Sequence, residues 1–158
     1  MKKIAVIYYS RSGNTKKMAE LVVKGAKEVK DVQVDLFDIA DFLTETALEY
    51  DALIVGSPTY YGSMAYQIKK FFDDSVSFHG KLSGKVGAAF SSAANIGGGN
   101  ETTINDILNA MLIHGMIVQG NHVGDHYGAV SIGAPDPRAE KQCLELGRRT
   151  AALVKRVL

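Results

Sequence analysis

The chain predicts an α/β fold in which an open five-stranded parallel sheet is wound with helices on both faces. Three observations carry this. Short apolar runs alternate with stripes of helical periodicity along all 158 residues. Most of those runs are apolar at every position, as in parallel strands covered above and below. The loops after the first, third and fourth runs are crowded with glycine and small hydrogen-bonding residues, where open sheets of this kind bind ligands.

The first run, IAVIYY (4–9), leads through SRSGNT into a helix whose stripe is Met18, Leu21, Val22, Ala26 and Val29. The second, VQVDLFD (32–38), alternates apolar and polar residues and reads as a half-exposed edge strand. DALIVG (51–56) is a buried strand, and a short helix follows from Ala65 to about Asp74. KVGAAFS (85–91) precedes a helix striped by Ile104, Ile107, Leu108, Met111 and Leu112; GMIVQG (115–120) is the fifth strand. The segment 121–140 reads as a long irregular loop, and long loops inside compact domains are usually functional. Leu144, Leu146, Ala151, Leu153, Val154 and Val157 belong to the closing helix. No linker or repeat divides the chain, so 1–158 is expected to be one domain.

Composition narrows the function. The formal net charge of +1 gives no basic field to recruit nucleic acid and no acidic bias toward cationic partners. No segment approaches the ~20 apolar residues of a membrane span. The start MKKIAVIYYS is too short in its apolar part for a secretory h-region and lacks a small-residue cleavage site. A single cysteine, Cys143, cannot form an intrachain disulfide and fits a reducing cytoplasm. By default it is a small buried apolar residue.

The three strand-end loops carry the chemistry. Ser10, Arg11, Ser12, Gly13, Asn14 and Thr15 open the first helix, whose unpaired N–H groups and partial positive charge form an anion site. One helix cap needs one hydroxyl or amide side chain; four in six positions favour a phosphate monoester. A nucleoside-triphosphate loop is excluded, because GKLSGKV at Gly80 is one residue short of the motif and ends in Val86. No cysteine follows the first strand, which excludes a cysteine phosphatase. In the second loop, Pro58, Thr59, Tyr60, Tyr61 and Gly62 set two flat rings beyond a strand end. In the third, Ser91, Ser92, Ala93, Ala94, Asn95, Gly97 and Gly98 leave backbone bare enough for a planar ligand. A phosphate site, an aromatic platform and a bare-backbone edge describe a phosphorylated planar heteroaromatic ligand, FMN.

Five stretches, YYSRSGNTKKMAE, DALIVGSPTYYGSM, SSAANIGGGNETTI, HGMIV and YGAVSIG, occur in the same order as in a known family. On them the chain resembles the flavodoxin-like superfamily and, within it, the WrbA family of NAD(P)H:quinone oxidoreductases. The resemblance implies a flavodoxin-like sheet of order 2-1-3-4-5 and a non-covalent FMN. Its phosphate would lie on Ser10 to Thr15, and its ring between Thr59–Tyr61 and Ser92–Gly98. It also implies NAD(P)H as co-substrate, a quinone as acceptor and a homo-oligomer, dimer or tetramer. His114, in HGM, matches a family histidine beside the flavin and is expected to stabilise negative charge there. Read from its position alone, His114 is a helix-terminal residue. The chain departs from the family by carrying Ser12 where an aromatic residue is common, by having no Trp, and by shorter connections at 39–50 and 121–128. The second class of function is an electron carrier between redox protein partners. Such carriers are typically acidic, and the near-neutral charge weighs for the enzyme.

Overall fold

The computed structural model describes residues 1–158. In chain order the elements are β1 (Lys2–Tyr8), α1 (Asn14–Lys27), β2 (Val32–Asp38), β3 (Ala52–Tyr60), β4 (Ser63–Met64) and α2 (Tyr66–Asp74). There follow β5 (Val86–Ala93), α3 (Asn100–Ile113), β6 (Ile117–Val118), β7 (Val130–Ile132) and α4 (Pro137–Val157). The sheet runs β2-β1-β3-β5-β6, and every pairing along it is parallel. This is the predicted doubly wound order, with β5 and β6 as its fourth and fifth positions.

Strand periodicity sorts the side chains into two cores. In β1, β3 and β5, residues Ala5, Ile7, Leu53, Val55 and Ala89 pack with Ile68, Phe71, Ile104, Ile107 and Met111 of α2 and α3. Their neighbours Ile4, Val6, Ile54, Ala88 and Phe90 pack with Met18, Val22, Leu146 and Val154 of α1 and α4. Burying each such Leu or Ile contributes about 1.5–3 kcal/mol, so both faces of the sheet must be apolar and must be covered. β2 stands at the sheet edge and is half-exposed as expected, but not by strict alternation: Val34 and Leu36 share a face, and Val34 is buried while Leu36, nearer the strand end, is exposed.

Three expectations are corrected. The fifth strand is not continuous over 115–120: two residues, Ile117–Val118, pair with Val86–Gly87, and the chain rejoins β5 only at Val130–Ile132. The polar backbone of the excursion is satisfied elsewhere. Arg149 donates to the Gln119 and Gly120 carbonyls, and Asp125 accepts from Val130 N–H while pairing with Arg138. The irregular segment 121–140 is therefore interrupted by β7 and ends earlier than expected, because Asp136 caps α4 by accepting from Ala139 N–H at 2.7 Å with Pro137 at the first helical position. The second loop, finally, is largely strand: β3 continues through Tyr60 and turns back as an antiparallel hairpin to β4.

α1 and α4 lie side by side at unusually close range. A Cβ on Gly147 would stand 2.0 Å from the Val22 carbonyl oxygen, and one on Gly25 would stand 2.0 Å from that of Leu144. Nearby, burial first and Asp125 second push the Cys143 thiol up to about 12, so it is an inert core residue. No helix is long and apolar enough to cross a membrane. Gly147→Ala is expected to force the helices apart and cost about 1–3 kcal/mol, read as a lower urea midpoint. An unchanged midpoint would show that the α1–α4 contact is not tight.

Candidate functional site

β1 is flanked by β2 on one side and β3 on the other, so the chain reverses direction across the sheet between β1 and β3. At that point the carboxyl ends of the strands splay and a crevice opens. It is lined by Ser10, Arg11, Ser12, Asn14, Thr15, Pro58, Thr59, Tyr60, Ser92, Ala93, Ala94 and Gly133, and encloses about 400 Å³.

The N-terminus of α1 forms one end of it. No side chain caps this helix, and its first turn carries no acid. The only loop N–H with a side-chain acceptor is that of Gly13, which donates to Ser10 Oγ at 3.0 Å. The N–H groups of Asn14, Thr15 and Lys16 have no protein acceptor. α4 shows the contrast, since there Asp136 closes the same kind of end. Gly13 turns the chain with φ 93°, and a Cβ there would meet nothing within 4 Å, so the nest stands open. Unpaired donors, an uncompensated dipole and the exposed Lys16 and Lys17 all favour a bound anion.

The side walls come from the other two loops. Tyr60 stands edge-on to Tyr9 with ring centroids 6.4 Å apart. Burial, then Tyr9, push its phenol above the ordinary range against the pull of Arg11. Tyr61 and Gly62 are the two central residues of the hairpin, with φ 49° and 76°, the type I′ pattern that suits strand twist. Tyr61 is thus a bulky residue held left-handed at a cost of about 1–2 kcal/mol, with its ring fully in solvent. The third loop packs against this hairpin. A Cβ on Gly99 would lie 2.7 Å from Gly62 Cα, and Thr102 Oγ1 is 2.6 Å from the Gly62 carbonyl.

Beneath the crevice lies a hydroxyl and amide network. Of the ten buried polar residues, seven stand at this edge: Thr15, Ser57, Ser91, Ser92, Asn100, Thr103 and Ser131. Thr15 Oγ1 and Ser92 Oγ are 2.9 Å apart and tie α1 to β5. Thr59 Oγ1 meets Ser91 Oγ at 2.9 Å, Thr103 Oγ1 at 3.1 Å and Asn100 Oδ1 at 3.2 Å. Asn100 Nδ2 donates to the Ser131 carbonyl at 3.3 Å, joining the start of α3, just past the third loop, to β7. Ser57 Oγ accepts from Ala65 N–H at 2.8 Å and fixes the return of the hairpin.

Most sequence-predicted residues therefore converge here, but not all in the expected way. Ser91 is wholly buried in the supporting network, and Tyr61 projects away from the crevice. Gly13 and Gly62 shape the turns without lining the cavity. Asn95, Gly97 and Gly98 form an exposed rim, and Gly98 N–H is spent on the Asn95 carbonyl at 3.1 Å, so less backbone is bare than three glycines imply. His114 is the clear correction. It follows α3 at the end opposite Asn100, about 21 Å along a 14-residue helix, and its Nε2 meets Ser75 Oγ at 2.7 Å. Within this chain it is not in the crevice. Sequence reading missed the supporting roles of Asn100, Thr103, Ser57 and Ser131 and the lining residue Gly133; the signal was polar side chains beside fully apolar strands.

A doubly wound sheet with an open anion nest, an aromatic wall and a narrow rim at its switch point defines a protein that holds a flat phosphorylated ligand. The chain belongs to the flavodoxin family, whose sequence pattern matches residues 6–109. It is 43% identical over 162 positions to a flavodoxin of Aquifex aeolicus, covering 98% of this chain and 88% of that one. It is 33% identical over 192 positions to an NAD(P)H dehydrogenase (quinone) of Archaeoglobus fulgidus, covering 99% and 100%. Among solved structures, a flavodoxin, WrbA-like protein from Agrobacterium tumefaciens superposes with a TM-score of 0.85 at 25% identity over the whole of both chains.

Asn100→Ala removes both the acceptor for Thr59 and the donor to Ser131. A loss of about 1–3 kcal/mol is expected in urea unfolding, with amide exchange accelerated at 94–103 and 130–133. Unaltered exchange in those segments would show that the network does not hold the rim.

Proposed function

We propose that this single domain binds FMN non-covalently in the crevice and works as an oxidoreductase, passing electrons from NAD(P)H to a quinone. The open end of α1 is the observation that carries it. Three donors without acceptors beside a left-handed glycine make a socket for a doubly negative phosphoryl group, and no residue of the chain fills it. The hydroxyls of Ser10, Ser12 and Thr15 and the amide of Asn14 complete that shell, and Arg11 stands at its lip.

Bound FMN supplies hydride acceptance and electron transfer, chemistry that no side chain has. The protein's part is to bind and orient. Tyr60 flanks the ring on one side, with Thr59 and Pro58 behind it. Ala93 and Ala94 keep the opposite wall low enough for a planar group, and Gly133 closes the floor. Asn95, Gly97 and Gly98 border the outer edge, where a second substrate approaches. Because Thr59 bonds to both Ser91 and Asn100, the walls are positioned before the ligand arrives. No acid–base pair is required.

The relatives named NAD(P)H dehydrogenase (quinone) support the enzymatic reading. A carrier role is favoured by a different observation: the Aquifex flavodoxin aligns over 162 positions, barely more than the 158 residues here, whereas the Archaeoglobus enzyme needs 192. Redox protein partners would then replace the quinone. We also infer a homo-oligomer, since the rim exposes Tyr61 and Ile96 almost completely, and a cytoplasmic location, since the one thiol is kept reduced and buried.

Ser12→Asp sets a carboxylate against the phosphate at an exposed position where an acid also suits the helix terminus. FMN affinity is expected to fall at least about tenfold while the ligand-free protein keeps its stability, measured by flavin fluorescence and by thermal melting. Undiminished affinity would show that the phosphate lies elsewhere. The FMN-loaded protein is further expected to oxidise NADH or NADPH with benzoquinone present. Turnover only on adding a separate reductase protein would establish the carrier instead.

A further inference from the structure

Between α2 and α3, on the face that carries neither α1 nor α4, a groove of about 440 Å³ runs past the C-terminal end of α3. Phe72, Val76, Ala110 and Ile113 give it apolar walls, and His79 and His114 close one end. Val76 and Ile113 are each 73% exposed, whereas His114 is only 6% exposed.

The state of the His114 ring follows from its partners. Ser75 Oγ donates its one proton to the Phe72 carbonyl at 2.7 Å. The same oxygen lies 2.7 Å from His114 Nε2, so it accepts there and Nε2 carries the ring hydrogen. Burial, and then the neighbouring His79, hold the imidazole below its ordinary pKa and hence neutral. Nδ1 is left as a bare acceptor, and it is a buried polar atom without any hydrogen-bond partner. Native proteins rarely leave such an atom unpaired. On one face the ring stacks on Phe78, with centroids 6.2 Å apart and planes at 24°; the exposed His79 stands 5.7 Å away.

We propose that this groove is a binding site for a neutral aromatic molecule bearing a hydroxyl donor, a phenol, whose O–H donates to His114 Nδ1. The aromatic ring lies against Phe72, Val76 and Ile113, and His79 rotates outward to admit it. The occupant is uncharged because the groove's only cation, Lys69, is already paired with Asp73 at 2.6 Å and leaves nothing for an anion. It is not a metal ion, since no third ligating side chain joins the two histidines. The donor requirement comes from Nδ1, and the flat apolar body from the walls. The site is separate from the FMN crevice and stands whether or not that reading holds.

The test is titration of the FMN-loaded protein with phenol and with toluene, which has the same shape and no donor, followed by amide chemical shifts and calorimetry. Phenol is expected to bind at least about tenfold more tightly, with shifts at Val76, His79 and Ile113. His114→Phe retains the ring stack and removes the acceptor; it is expected to bring phenol down to toluene's affinity. Equal affinities in the native protein, shifts confined to Tyr60 and Ala94, or a phenol preference that survives His114→Phe would each overturn the proposal. If that variant does not fold, the phenol–toluene comparison on the native protein decides alone.

Discussion

The constraint on which this structure turns is an uncapped helix terminus. α1 begins at a left-handed glycine, accepts no side-chain cap, carries no acid in its first turn and leaves three N–H groups without acceptors. In isolation such an end costs stability, because its donors lack partners and two nearby lysines set positive charge against the positive end of the helix dipole. It is tolerated because α1 is fastened elsewhere. Its buried stripe packs into the core shared with α4, and Gly25 and Gly147 let the two helices approach to backbone contact. Packing along the helix thus frees its tip to serve a ligand.

The same division recurs around the crevice. Apolar burial on both faces fixes the strands, while the polar groups that emerge at their carboxyl ends satisfy one another. Thr59 bonds to Ser91, Thr103 and Asn100, so the aromatic hairpin and the glycine rim are held by three buried side chains around one half-buried threonine at the crevice wall. A half-satisfied network at this depth would be costly. A complete one gives walls of fixed spacing, which a planar ligand requires. Tyr61 is the exception, a strained and exposed ring supported by the turn alone. Its position at the rim fits contact with something outside the chain.

His114 shows how far a motif can be carried by resemblance. HGM reads as a flavin neighbour, yet the ring lies beyond the far end of α3, engaged with Ser75 and Phe78. Position in the chain gave the better guide to its place, since a residue that ends a helix started at the crevice must stand a helix length away. What remains distinctive about it is local: a buried nitrogen without a partner, on a residue that lines an apolar groove.

The amino-acid sequence by itself determined the layered fold, the order in which strands and helices follow, and the three loops that meet at the switch point. Those features depend on periodicity and local chemistry. IAVIYY is apolar on both faces wherever it is placed, and SRSGNT carries its donors regardless of neighbours. Only the tertiary structure decided the rest. The fifth strand is broken because Arg149, distant in sequence, and Asp125, within the excursion itself, satisfy the polar backbone between its halves. The early start of α4 was legible in the Asp136–Pro137 pair, but its consequence, a β7 that reaches Asn100, was not. Asn100, Ser131 and His114 acquired their places from contacts 31 to 39 residues apart, and nothing within a few residues of each encodes such a partner.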